Sequence, residues 1–325
     1  GILDISTEKE QGLRVEFWGD IITSIRTYSN ISQKSLKEIE RIEILPLTEY
    51  IFDTSINNII LNIKENTYSS KENDEIEKII TKDTKAIMPV HVYGNVCDVE
   101  AIESIAKKHG LYVVYDAAHT FGERYKGKSV ADFGDMSIFS FHATKVFNTI
   151  EGGAIALRDK DRRKSLDFLK NFGIADKENV PYVGSNAKMN EFVAAMGLCN
   201  MDHISEYIAA RKRICDRYIA NLADFKKVRL NKYNSDIEYN YAYFPMVAER
   251  GDRDKLYNKL AQNNIFARKY FYPCTNEYEC YRDRYYEMPT KTASDISKRV
   301  LTLPVYPDLE EEAVDRICDI IRRTL

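Results

Sequence analysis

Apolar and polar positions alternate along residues 85–157 in a way that predicts a short-stranded α/β sheet. "AIMPV" (86–90) is an apolar run of strand length. "DVEAIESIAKKHG" (98–110) has helical spacing, with Asp98 as cap, Val99, Ile102 and Ile105 on one face, and Gly110 as stop. "LYVVYD" (111–116), "MSIFSF" (136–141) and "GAIAL" (153–157) are three further strands. This β-α-β order implies a mostly parallel sheet covered by helices, whose ligands bind at the carboxyl ends of the strands. A long helix is expected over 189–222, followed by a smaller region with strands over 242–248 and near 265–271. In the last helix Asp308 and Glu311 have capping-box spacing, and Leu309, Ala313, Ile317, Ile321 and Leu325 form a stripe. A domain boundary is expected inside the long helix, near residue 210. Upstream, "LRVEFWGDIITSIR" (13–26) reads as a charged hairpin and "SSKEND" (69–74) as a polar loop.

Composition narrows the class. The 325 residues suffice for two domains, and 44% hydrophobic with 30% charged residues describes a soluble globular protein with a real core. A net charge of -3 offers no basic field for nucleic acid and no attraction to a membrane surface. No apolar run approaches the roughly 18 residues of a span. No signal peptide is visible, and the first residue is Gly1 rather than Met, so the chain is expected to begin inside a longer one. The six cysteines are scattered without a CxxC pair, so reduced thiols in the cytoplasm are expected and no metal site.

Candidate chemistry gathers at two strand ends. Asp116 closes an apolar strand and precedes "AAH". A carboxylate there either caps the next turn or pairs with a cation above the sheet, and a protonated pyridine nitrogen is such a cation. Lys145, in "SFHATKVFNTIEGG" (140–153), is either a surface lysine or one that reaches a ligand. Its context favours the second. Ser140, Thr144 and turn N–H groups suit a phosphate, and Gly152 and Gly153 allow close backbone approach. A lysine amine and a strand-end aspartate together suit pyridoxal phosphate. "NAKMNE" (186–191) reads equally as a helix start with Asn as cap. The tyrosine-rich stretch 270–289 reads as a half-buried loop or interface more readily than as a stacking site. "GERYKGKS" (122–129) fits the P-loop pattern, but a strand follows where a P-loop needs a helix, so a basic surface hairpin is expected.

Residues from about 58 to 325 resemble the nucleotide-sugar aminotransferases of the DegT/DnrJ/StrS family. The matching stretches are "TKAIMPVHVYGNVCDVEAI", "VVYDAAHTFGERYKGK", "GDMSIFSFHATK", "EGGAIAL", "NAKMNEFVAAMG" and "LPVYPDLEEEAVDRI". The resemblance implies an α/β fold type I transferase dependent on pyridoxal phosphate, with a cofactor-binding large domain over 58–210 and a small α+β domain over 211–325. It implies that Lys145 forms the internal aldimine and shuttles the proton, and that Asp116 pairs with the pyridinium. It puts His119 near the ring and Ser140 at the phosphate, and has Asn186 reach the phosphate of a neighbouring subunit in a homodimer. The implied reaction passes an amino group from L-glutamate to a keto-deoxysugar linked to a nucleoside diphosphate. "ARKYFYP" (267–273) points weakly to dTDP-4-keto-6-deoxyhexoses. A deoxysugar dehydratase on the same fold is the runner-up, but those members carry histidine in place of the lysine.

Residues 1 to about 50 are similar to another group, the UvrB-like module of the transcription-repair coupling factor, through "GILDI", "LRVEFWGDIITSIRTY" and "SQKSLKEIERIEILPLTEY". This leaves a third reading, a non-catalytic repair-interaction module. The family's own N-terminal third would bring a Ser-Gly-Thr turn that cradles the phosphate. No such turn stands upstream of residue 58, so 1–57 reads as a foreign segment joined near 50–58. Reduced cofactor affinity is the expectation.

Overall fold

A computed structural model describes residues 76–249, 251–285 and 290–325, together with the backbone of five strands upstream. The chain divides into two units, 1–55 and 56–325. The expected polar loop at 69–74 and the join at 50–58 lie outside the described residues.

The first unit contains β1 (Ile2–Ser6), β2 (Gln11–Trp18), β3 (Ile21–Ser29) and β4 (Ser35–Glu38), paired in that order as an antiparallel sheet. The expected hairpin over 13–26 is the β2–β3 pair, with a register shift between Glu16 and Phe17.

In the second unit β5 (Ile59–Asn62) begins a five-stranded sheet with β6 (Ala86–Pro89). The helix α1 (Val99–His109) follows as expected: Asp98 Oδ1 accepts the Ala101 N–H at 3.1 Å, and Gly110 ends it in the left-handed region. Then come β7 (Tyr112–Asp116), the small hairpin β8 (Arg124–Tyr125) and β9 (Lys128–Ser129), β10 (Met136–Ser140) and β11 (Gly153–Leu157). Spatial order is β11-β10-β7-β6-β5, parallel from β5 through β10. Only β11 runs antiparallel. A parallel return usually runs through a crossover helix, and the 141–152 link forms none. The look-alike at 122–129 is indeed a hairpin. Its turn residues Lys126 and Gly127 both have positive φ, the two-residue geometry that suits strand twist.

After α2 (Arg162–Leu169) comes α3 (Glu191–Leu222), capped by Asn190, whose side chain accepts from Val193 N. The cap is therefore Asn190 rather than Asn186. Then follow β12 (Val228–Leu230), β13 (Ile237–Glu238), β14 (Phe244–Ala248), α4 (Arg253–Ala261), α5 (Glu279–Tyr285), α6 (Lys291–Arg299), β15 (Val300–Leu303) and α7 (Glu311–Thr324). Strands β12, β14 and β15 form an antiparallel sheet. Every residue of β14 and β15 is buried; Phe244, Met246, Leu301 and Leu303 pack with Ile214, Tyr218 and Leu222 of α3 and Val314, Ile317 and Ile321 of α7, while Val247 and Val300 pack with Ile296 of α6. Strand β13 pairs with β8 instead, so 237–238 joins the sheet region rather than the C-terminal core.

Two local expectations need correction. No strand forms over 265–271. Arg268 makes one bridge to Thr302, since Ala267 and Arg268 run past β15 and then turn away. Asp308 does not cap α7. Glu310 occupies the cap position without a side-chain bond, and Glu311 lies against Arg213.

Candidate functional site

Strands β7 and β10 are neighbours, with Ile138 opposite Asp116. Their carboxyl ends therefore bring Asp116 and Ser140 to one edge of the sheet. The chain leaves β10 into a turn in which Lys145 N donates to His142 O at 2.9 Å. On either side of Lys145, Phe141 and Phe147 are buried and pack edge to face at 4.9 Å. Phe121 stacks on Phe147 at 4.3 Å. These rings pin the turn, and Lys145 between them is left half-buried.

Helix α3 braces the same turn from outside. A Cβ on Gly197 would come within 2.8 Å of Thr149, and Asn200 Nδ2 donates to Asn148 O at 2.9 Å. The Gly-Gly pair serves this closure. Gly152 has φ of +152° and lies where a Cβ would meet Thr149 Oγ1, and Gly153 is held as close to the Phe139 carbonyl. The close approach read from the sequence is thus made to the chain's own backbone and threonine.

Burial lowers the Lys145 amine's pKa, and the Asp116 carboxylate opposes that shift. Asp116 Oδ1 accepts the Ala118 N–H at 3.0 Å, so the local turn-capping role is real. Oδ2 has no hydrogen bond among the described residues. His119 is held by its ring: Nδ1 accepts the Tyr93 N–H at 3.0 Å, which leaves the proton of the neutral ring on Nε2. Burial first, then the Lys145 charge, push this histidine down to about 3. Phe271 lies parallel to His119, with ring centroids 5.7 Å apart and 10° between planes. Tyr243 tilts against it at 4.7 Å.

Lys145, Asp116 and His119 thus share one electrostatic environment, and Ser140 lies beside them. Ser140 Oγ has only a long 3.4 Å contact from the His142 N–H. Asn186 is exposed, bridges to Asn171 and makes no hydrogen bond to the other four among the described residues. The donor set fits pyridoxal phosphate at three points: a desolvated amine, a strand-end carboxylate with a free oxygen, and a neutral flat ring. Among the described residues, the Ser140 hydroxyl would meet the phosphate end. Sequence reasoning gave no site role to Tyr93, Asn240 and Tyr243, and read Phe271, in the 270–289 stretch, as loop or interface more readily than as a stacking residue. Tyr93 sits in "HVYGN", and the others come from a segment more than 100 residues away in the chain, so spacing carried no signal for them.

Comparisons with known proteins bear on the family and the fold. The model of the DegT/DnrJ/EryC1/StrS aminotransferase family matches residues 48–322, and that of the UvrB interaction domain matches residues 1–50. A dTDP-4-amino-4,6-dideoxy-D-glucose transaminase of Shigella dysenteriae is 42% identical over 250 residues, 76% of this chain and 68% of the relative. A GDP-perosamine synthase of Escherichia coli O157:H7 is 35% identical over 76% of this chain and 67% of the relative. The crystal structure of DesI in the presence of its TDP-sugar product superposes with a TM-score of 0.72 at 32% identity, covering 77% of this chain and 65% of that one. The chain therefore spans about two thirds of the length of these relatives.

Proposed function

The chain belongs to the DegT/DnrJ/EryC1/StrS aminotransferase family, and from that premise we propose that it transfers an amino group from L-glutamate to a keto-deoxysugar linked to a nucleoside diphosphate. Pyridoxal phosphate is the cofactor of the family. The observation that carries the reading is the convergence of Lys145, Asp116 and His119 at adjacent parallel strand ends. The relatives named for dTDP-linked and GDP-linked amino sugars support the substrate class. Lysine at 145 disfavours a dehydratase.

When bound, pyridoxal phosphate supplies an aldehyde that takes up amines and a ring that accepts the electrons of a broken C–H bond. Lys145 would hold it through Nζ. The lowered pKa leaves more of the amine unprotonated near neutral pH, so Nζ can also take up and return a proton. Asp116 would keep a proton on the ring nitrogen through its free oxygen. His119, neutral and fixed by the Tyr93 N–H, would lie against the ring, and Ser140 would donate its hydroxyl to the phosphate. As a charge-assisted hydrogen bond, the Ser140 contact would contribute about 1.5–3 kcal/mol.

We place the cofactor domain over 58–210 and the small domain over 211–325, and assign Asn186 to a phosphate contact across a homodimer. Exposed apolar side chains near it in the chain, Val183, Phe192 and Leu198, support an interface there. Six free thiols suit a reducing cytoplasm, and no helix among the described residues is long and apolar enough to cross a membrane. Residues 1–50 carry a second reading, a protein-interaction module, on the family match and the four-stranded sheet.

The test is reductive trapping. Borohydride treatment of the chain with pyridoxal phosphate, followed by peptide mapping, is expected to label Lys145 and to fail in Lys145→Ala. Label on another lysine with none at Lys145 overturns the assignment.

A further inference from the structure

Glu123 lies inside the P-loop look-alike and has no part in the chemistry described so far. It is 1% exposed. Its Oε1 accepts the backbone N–H of Asn240 at 3.1 Å, while Oε2 has no partner. Burial raises its carboxyl well above the usual range, so it is held as the neutral acid. The same Oε1 lies where a Cβ on Gly94 would come within 2.7 Å, so the Val92–Gly94 turn packs directly on the carboxyl. Asn240, also buried, donates Nδ2 to His119 O at 2.8 Å and to Phe121 O at 3.0 Å, and its Oδ1 accepts from Ala242 N. The turn that touches Glu123 on the other side supplies the Tyr93 N–H to His119 Nδ1.

Three chain segments distant in sequence thus meet on one carboxyl, and two of them grip His119, one by its ring and one by its carbonyl. We propose that Glu123 is a positioning residue for His119: as a hydrogen-bond acceptor it locks the 92–94 turn and Asn240 together, and so sets the orientation and tautomer of the His119 ring. The inference rests on the reading of His119 as the residue facing the cofactor ring. An acceptor is what the lock requires, since removing Oε1 leaves the buried Asn240 N–H without a partner. A negative charge is not required, because Oε2 makes no hydrogen bond among the described residues.

The experiment uses the full chain with 15N-labelled histidine, in which five histidines are present and His119 is assigned by its loss in His119→Gln. The wild type is expected to show a neutral His119 ring with the proton on Nε2. Glu123→Gln, which keeps the acceptor, should retain that signature. Glu123→Leu should give a mixed tautomer or a displaced Nδ1 signal, and lower kcat at least tenfold with less than a twofold change in KM. If Glu123→Leu does not fold, Asn240→Asp removes the Nδ2 donation and should displace the same signal. A wild-type His119 signature in folded Glu123→Leu overturns the proposal, and where that variant does not fold, a wild-type signature in Asn240→Asp overturns it. Damage by Glu123→Gln equal to that of Glu123→Leu also overturns it, since charge would then be the requirement. Inactive wild-type protein with the expected His119 signals would count against the aminotransferase reading and leave this one standing.

Discussion

The two ends of helix α3 live in different surroundings. Its C-terminal half, from Arg211 to Leu222, is sealed into the core of β12, β14 and β15 with α7. Arg217 binds Asp315 of α7 through two hydrogen bonds at 2.6–2.7 Å, and buried Arg211 reaches the carbonyls of Val305 and Ala242. Its N-terminal half braces the Lys145 turn with one face and leaves Phe192 89% and Leu198 73% exposed on the other. Residues of the site sheet share this openness, with Ile138 and Ile155 exposed on β10 and β11. The C-terminal region is a closed core of its own. The region around Lys145 keeps an uncovered apolar surface, which suits a region completed by a partner surface.

Truncation in the closed core should have the largest effect. Phe244 is fully buried in β14 and stacks on Tyr218 at 4.7 Å. Phe244→Ala is expected to destabilise the fold by about 3–5 kcal/mol in chemical denaturation. A loss below about 1 kcal/mol would show that this core is loosely packed.

Acid should separate the two regions. All five histidines lie before residue 204, none in 211–325. His91 and His119 are both held down to about 3 by burial. Unfolded histidines bind protons below about pH 6.5, so the stability tied to these neutral rings is complete above that pH and is lost as pH falls from 6.5 towards 3. Between pH 6.5 and 5 the loss is about 1.5 kcal/mol for each ring. Hydrogen exchange at the two pH values should show β6 and β7 losing protection while β14 and β15 do not. Equal loss in both regions would break the contrast.

The smallest change in monomer stability is expected on the exposed face. Phe192→Ser should shift the folding free energy by less than about 0.5 kcal/mol. Sedimentation should nevertheless show weaker self-association. Unaltered association would remove Phe192 from the proposed homodimer surface.

Much of the framework was legible along the chain because its signals are local. The strand runs from Ala86 to Leu157, the Asp98 and Gly110 signals around α1 and the hairpin at 122–129 all follow from spacing and turn chemistry within a dozen residues. Asp116, Ser140 and Lys145 were legible for the same reason, since a strand end is a sequence feature and neighbouring parallel strands bring their ends together. The strand expected over 265–271 failed because only Arg268 bridges to β15, while Phe271 turns to lie beside the His119 ring.

By itself the sequence determined the parallel sheet, the strand-end carboxylate and the lysine turn, because short-range periodicity and backbone preference decide those. Tertiary structure alone decided the surroundings of His119. Its ring accepts from Tyr93, its carbonyl from Asn240, and Phe271 and Tyr243 lie against it. Those partners are 26 to 152 residues away, and a hydrogen bond or ring contact depends on where atoms meet in space, which no interval along the chain records.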